Sequence, residues 1–245
     1  MFPYLNIGSL QISMYWLMIF AGIALVTAMT VVQRRQYGLS VWKSVALPLL
    51  MIALAIVCSA PTAFIDNAIT IGGERLYYMN LDSFGAILLF PLLCPLLGRL
   101  FSISGRSCLN LWAKAIALEE AFIRIGCWCA GCCGGRELTV GGLSFTLPVR
   151  QIESAGCMLI LAFLLYREKK EGEEADLYPL FLLLYCPLRF VLEFFRKYSM
   201  LPIGLDIFQI WCLIGIAAGV VLLVRKQRRR RPEQAGPGAV RSGAA

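Results

Sequence analysis

LYPLFLLLYCPLRFVLEFF, residues Leu177–Phe195, is apolar almost throughout, and its charged residues are Arg189 and Glu193. A stretch of roughly 20 mostly apolar residues is what a helix needs to cross a bilayer. Arg189 is therefore the informative residue. A guanidinium cannot shed its proton in hydrocarbon, so it must pair, reach a headgroup or line a wet cavity. Placing it there costs from about 3 kcal/mol on insertion scales to more than 10 in simulation. Glu193 follows four residues later, on the same helical face, and Arg196 three beyond that. A second arginine, Arg124, lies inside another apolar stretch, Trp112 to Cys133.

The rest of the chain has the same character. Its 245 residues are 59% hydrophobic and only 16% charged, against roughly 25% charged in a soluble domain. Mean hydropathy is +0.72. Seven spans are expected: Ser13 to Val32, Ser44 to Ala63, Phe84 to Phe101, Trp112 to Cys133, Ile152 to Tyr166, Leu177 to Phe195 and Leu205 to Val224. The fifth is short and is expected to begin nearer Val149. Pro91 and Pro95 should break the third. Barrel strands are too short to account for these runs.

Basic residues fall after alternate spans: Arg34, Arg35 and Lys43, then Arg106 and Lys114, then Arg167, Lys169 and Lys170, then the run from Arg225 to Arg231. All share one face if the amino terminus is outside and the carboxyl terminus inside. The fold class read here is all-α, a polytopic integral membrane protein of about seven transmembrane helices around a central polar cavity. Residues 1–231 form one transmembrane domain, and 232–245 (PEQAGPGAVRSGAA) a disordered cytoplasmic tail. The first charged residues stand behind a full span, which is not the pattern of a secretory signal peptide. Nucleic-acid binding is not expected, because the net charge of +8 is spread over loops and tail with no readable basic fold.

On the outer side, Pro61 to Met79 reads as one connection and Gly134 to Arg150 as another, the latter rich in Gly and Thr with a short hairpin. Glu119 and Glu120 are expected near the cytoplasmic boundary, and Arg196 admits a reading as a snorkelling helix end. Arg124 and Arg189 admit two readings, as structural pair partners or as the lining of a polar cavity. With five donors each, they suit a phosphodiester or a carboxylate.

Four of the ten cysteines fall in Cys127-Trp128-Cys129-Ala130-Gly131-Cys132-Cys133. On a continuous helix they would spread around the axis. Small packing residues, a disulfide near the outer boundary, and a metal or redox centre all remain open readings. The packing reading is the one adopted, with no metal and no cofactor. The chain has no histidine, so a mixed Cys/His zinc site and a histidine base are both excluded.

Two motifs carry a family resemblance. Arg124-Ile125-Gly126-Cys127, running through Gly131 to Gly135-Arg136, resembles the signature of the bacterial prolipoprotein diacylglyceryl transferase family, G-R-L/I-G-N-F-x-N-G-E-x-x-G. Leu188-Arg189-Phe190-Val191-Leu192-Glu193-Phe194-Phe195-Arg196 resembles its F-R-F-x-x-E-F-F-R. Ile12 to Trp16, Pro148 to Glu153 and Gln209 give weaker matches in the same order.

The resemblance implies transfer of the diacylglyceryl group from phosphatidylglycerol to the lipobox cysteine thiol of a prolipoprotein. A thioether forms and glycerol phosphate departs. The implied catalytic residues are Arg124, Arg189 and Glu193. The implied substrate-binding residues are Tyr15, Phe84, Gly85, Gly131, Gly135, Arg136, Glu153 and Arg196. The partners implied are phosphatidylglycerol or a related anionic phospholipid and a preprolipoprotein signal peptide, at the bacterial cytoplasmic (inner) membrane, with the enzyme a monomer.

The chain departs from the pattern at three places. Phe84 stands where the family has a histidine, Cys127 where it has asparagine, and Cys132 where it has glutamate. A repurposed paralogue acting on another head group or acceptor is the alternative enzyme. An anionic-lipid transporter is the alternative from another class, although no inverted repeat is visible. A thiol oxidoreductase on the clustered cysteines is the third.

Overall fold

The computed structural model describes residues 3–8, 10–70, 83–140, 143–172, 175–196 and 204–234. They begin with a hairpin of β1 (Tyr4–Ile7) and β2 (Leu10–Ser13), paired from Tyr4 opposite Ser13 to Ile7 opposite Leu10. Gly8, at φ +62°, opens its turn, a conformation glycine adopts without a Cβ clash. Helices α1 (Met14–Gln33) and α2 (Val41–Thr70) follow.

Next come α3 (Ser83–Leu88), a 3-10 turn (Phe90–Leu93) and α4 (Cys94–Phe101). A long α5 (Gly105–Ala130) leads to a second hairpin, β3 (Glu137–Val140) with β4 (Leu143–Thr146). Three helices complete the described residues: α6 (Val149–Glu171), α7 (Leu177–Glu193) and α8 (Ile207–Gln234).

Five segments are long and apolar enough to cross a membrane: Met14–Gln33, Val41–Asp66, Ser83–Phe101, Val149–Glu171 and Ile207–Arg228. The other two expected spans fall on α5, whose interior carries charges, and on α7, which has 17 residues. The chain is a mostly helical, polytopic protein. The outward side is apolar and the inward side holds the charge. Trp16, Phe20, Leu25, Ile56, Val57 and Leu159 are exposed, while Lys114, Glu120, Glu153 and Arg189 are buried. That distribution suits a hydrocarbon surround, where lipid chains solvate leucine and the ions must find each other.

Helix α5 is the centre. Every residue from Asn110 to Ala121 is buried, and α1, α4, α6 and α7 all pack on it. Its start is capped by the Ser104 side chain, which accepts a hydrogen bond from the Ser107 amide at 2.9 Å. This is the usual device for an otherwise unpaired first-turn donor. Its end is set by Gly131 in the left-handed region at φ +76°, the favoured helix stop.

Three expectations change. The all-α reading requires two small β-hairpins to be added, of which only the second was anticipated. The Pro61–Met79 connection begins later than expected, because α2 continues through Pro61 to Thr70. The missing proline N–H there removes one ladder bond and does not end the helix. Pro91 and Pro95 break the third span as expected, each at the first or second position of the piece that follows it, where a lost N–H costs little. Helix α8 reaches Gln234, and the remainder of the expected tail, 235–245, lies outside the described residues.

The broken third span needs a close approach. A Cβ on Gly85 would collide with the Cys58 carbonyl oxygen of α2 and lie 2.6 Å from the Ser59 Cα. Backbone cannot yield as a side-chain tip does. Gly85→Ala is expected to lower stability by about 1–3 kcal/mol, seen as a reduced thermal midpoint in detergent. An unchanged midpoint would show that α3 does not need to lie against α2.

Candidate active site

Glu153 is the hub. It sits on α6, fully buried, and faces three guanidiniums from two other parts of the chain. Arg124 of α5 places Nε 3.0 Å from Glu153 Oε2. Arg189 of α7 donates from Nη1 to Oε1 at 3.2 Å and Oε2 at 3.1 Å. Arg196, just past α7, donates from Nη2 to Oε2 in a short contact.

The outer ring consists of two more carboxylates and a phenol. Arg124 Nη2 donates to Glu120 Oε2 at 3.0 Å, four residues back on the same helix. Arg189 Nη2 lies 3.3 Å from Glu193 Oε2, and Arg196 Nε 3.7 Å from the same oxygen. The Tyr185 hydroxyl lies 3.3 Å from Glu120 Oε2 and 3.4 Å from Glu153 Oε1. Arg124, Arg189 and Arg196 thus face Glu120, Glu153 and Glu193, three charges against three. The pairing is incomplete in hydrogen-bond terms. Arg196 Nη1, Arg189 Nε and Glu120 Oε1 are buried with no hydrogen-bond partner among the described residues. Buried polar atoms of that kind are costly, so the cluster retains capacity for a polar ligand.

The segment Gly131–Arg136 packs against the cluster beyond the carboxyl-terminal end of α5. Gly135 bridges to Arg196 as an isolated antiparallel pair, and the Arg136 amide donates to the Phe195 carbonyl at 2.7 Å. Arg136 Nε donates to the Arg196 carbonyl at 2.5 Å. A Cβ on Gly135 would stand 2.5 Å from the Leu147 carbonyl oxygen and 3.3 Å from that of Phe195. Glycine here allows the loop, the start of α6 and the end of α7 to meet.

The remaining sequence candidates are placed around this core. Tyr15 packs on α5 at Gly126, where an added Cβ would lie 3.2 Å from the ring. Phe84 is buried and its ring stacks with Phe208 at 6.4 Å. Arg189 in turn lies over the Phe208 ring, 5.7 Å from its centroid. Gly85 is a contact with α2, and Gly131 is the α5 stop. The structure therefore brings Arg124, Arg189, Glu193, Glu153, Arg196, Gly135 and Arg136 together. Phe84 borders them through Phe208, Tyr15 lies near the carboxyl-terminal end of α5, and Gly85 and Gly131 serve the packing and the helix stop.

Two placements differ from the sequence reading. Glu119 and Glu120, expected where they would meet water, are enclosed by protein. Both are buried, with Glu120 fully so, because α5 is enclosed by other helices along this part of its length. Arg196 does not snorkel either, since it is 1% exposed and Glu153 and Glu193 hold it inward. Tyr185 and Glu120 were missed as members of the cluster. The available signal was spacing, for each lies four residues before an arginine. A cavity of about 850 Å³ lies beyond the other end of α5, lined by residues that include Tyr37, Ser102 and Arg106. The space between the arginines is filled by carboxylates.

The family model described as prolipoprotein diacylglyceryl transferase matches residues 3–225. The chain belongs to the prolipoprotein diacylglyceryl transferase family. Curated relatives agree. A phosphatidylglycerol–prolipoprotein diacylglyceryl transferase of Clostridium tetani is 32% identical over 136 residues, 49% of this chain and 55% of the relative. A second of Clostridium perfringens is 27% identical over 140 residues, 52% and 54% of the two chains. One of Dehalococcoides mccartyi is 28% identical over 137 residues, 50% and 52%. These matches span about half the length of each relative. The chain is thus a polytopic, mostly helical member of that family.

Proposed function

We propose that the protein transfers a diacylglyceryl group from phosphatidylglycerol to the lipobox cysteine of a prolipoprotein, in a bacterial cytoplasmic membrane crossed seven times with the amino terminus outside. The observation that carries this reading is the convergence of Arg124, Arg189 and Arg196 on Glu153 at the centre of a chain of this family. Glu153 holds the three forks in one place before substrate arrives. A phosphodiester offers them the same bidentate oxygens, so it can take over part of that coordination while its acyl chains stay in hydrocarbon.

The reaction requires charge stabilisation at one end and a nucleophile at the other. The acceptor thiolate attacks the glyceryl carbon, the carbon–oxygen bond to phosphate breaks, and glycerol phosphate leaves with the electron pair. Arg124 and Arg189 face the charge that develops on the leaving oxygen. Glu193 orients Arg189, and Arg196 supports the headgroup. The thiol must ionise without a histidine, because Phe84 occupies the family's histidine position and is committed to Phe208. A cysteine thiol has a pKa of about 8.5, which puts a useful fraction of thiolate within reach of neutral pH.

The test mixes the purified protein with phosphatidylglycerol and a lipobox peptide and follows the mass of the thioether. Product is expected from the native chain with no need for Phe84→His. In chelating buffer its rate should rise about tenfold per pH unit below the thiol pKa of about 8.5. No thioether from folded protein at any pH would refute the assignment. A substantial rate that stays flat between about pH 6 and 9, with thiol attack limiting, would contradict the account of the missing base.

A further inference from the structure

Helix α5 does not continue through the cysteine-rich stretch. Gly131 turns the chain at φ +76° and Cys133 follows at φ +56°, an uncommon conformation for a residue with a Cβ. The reversal carries Cys132 and Cys133 back over the last turn of the helix. Cys132 Sγ comes to 3.7 Å from the Cys127 carbonyl oxygen, and the sulfurs of Cys127, Cys132 and Cys133 all lie within 4.8 Å of one another. Cys127 is buried, Cys133 half-buried and Cys132 exposed. The turn is held from a second element, for Arg150 of α6 donates from Nη1 to the Cys127 carbonyl at 3.0 Å and the Cys132 carbonyl at 2.7 Å.

We propose that Cys127, Cys132 and Cys133 form a three-thiolate zinc site whose fourth position opens on the exposed Cys132 side. The donor set selects the ion. Sulfur alone suits soft or borderline cations, whereas calcium and magnesium take oxygen. Zinc–sulfur bonds of about 2.3 Å place tetrahedral sulfurs about 3.8 Å apart. The observed sulfurs stand within about an ångström of that separation.

Binding releases the three thiol protons to solvent. Zinc has no redox chemistry, so no oxidant or reductant is required. Three thiolates around a dication leave one negative charge in excess, and the Arg150 guanidinium beside their backbone offsets it.

Three protein ligands with one place open is the arrangement of zinc that acts on a substrate. Its use here rests on the transferase reading. The acceptor thiol takes the fourth position and gives its proton to solvent, since a coordinating thiol is deprotonated by the metal. Its sulfur then forms the bond to the glyceryl carbon as the carbon–oxygen bond breaks and the phosphate ester keeps the electron pair. The metal would thereby supply the ionisation that Phe84 cannot.

The experiment uses the full-length reduced protein in detergent, titrated with Zn²⁺ against a chromophoric chelator, with Co²⁺ as a spectroscopic probe. One zinc per chain is expected. Cys132→Ser and Cys133→Ser should each weaken it by at least about 100-fold and Arg150→Gln by about 10- to 100-fold. Cys129→Ser should leave it unchanged, because Cys129 lies outside the sulfur cluster.

Absence of saturable zinc, native affinity in both Cys132→Ser and Cys133→Ser, or a stable disulfide among the three would overturn the site. Adding the lipobox peptide should alter the cobalt spectrum, and the peptide with serine for cysteine should not. Zinc should also move the rise of rate with pH to lower pH. An unaltered spectrum would overturn the role given to the fourth position. Zinc bound as expected by a chain that forms no thioether would instead count against the transferase reading and leave the metal site standing.

Discussion

Replacing Arg189 with alanine should lower turnover by about 100- to 1000-fold, the range seen when one preorganised donor to a developing negative charge is removed. Arg189 holds Glu153 with one nitrogen, lies against Glu193 with another and rests on the Phe208 ring. Its geometry is thus fixed before any substrate binds. The fold should survive, because Glu153 retains Arg124 and Arg196 and Glu193 retains Arg196. Lysine at 189 should recover little of the rate, since a point charge has no fork to span two oxygens. The measurement is thioether formation by Arg189→Ala and Arg189→Lys, each first shown to be folded by a cooperative thermal transition, whose midpoint in the alanine variant is expected below the native one. Near-native turnover in either would remove Arg189 from the reaction.

The largest effect on stability is expected at Glu153. Glutamine there keeps the shape but puts an amide donor where one acceptor oxygen stood, and it deletes the one charge shared by three guanidiniums. Arg124, Arg189 and Arg196 would then face one another with only Glu120 and Glu193 to balance them. Removing one member of a buried ionic set costs about 3–5 kcal/mol, because the partner charges remain buried and uncompensated.

Glu153→Gln should therefore show a much lower thermal midpoint in detergent. Anionic phospholipid should raise that midpoint further than it raises the native one, because phosphate can stand in for the missing carboxylate. A variant as stable as the native chain would mean that the three arginines do not depend on Glu153. An equal response to lipid in both would mean that the lipid phosphate does not enter the cluster.

The sequence by itself determined the membrane character, most of the helices and the two arginine-bearing segments. Those properties are local. Apolar run length decides a span, proline position decides where the third span breaks, and spacing by four puts Arg189 and Glu193 on one face. The family motifs were likewise readable in order along the chain.

Tertiary structure decided which charges meet. Glu153 stood near the entrance of the fifth span beside Arg150 and was singled out only by the family resemblance, for nothing local distinguishes it from Glu119 or Glu120. Its place as hub follows from α6 packing between α5 and α7, so that residues from three parts of the chain share one buried oxygen pair. Tyr185 joined the cluster for the same reason.

The cysteines show the limit most clearly. A helix carried through Cys133 scatters them, but a stop at Gly131 gathers three. Where a helix ends is set within a residue or two by the cap, and here by an arginine reaching over from α6. Such long-range contacts are invisible to periodicity, because they are fixed by how helices pack and not by how each one forms.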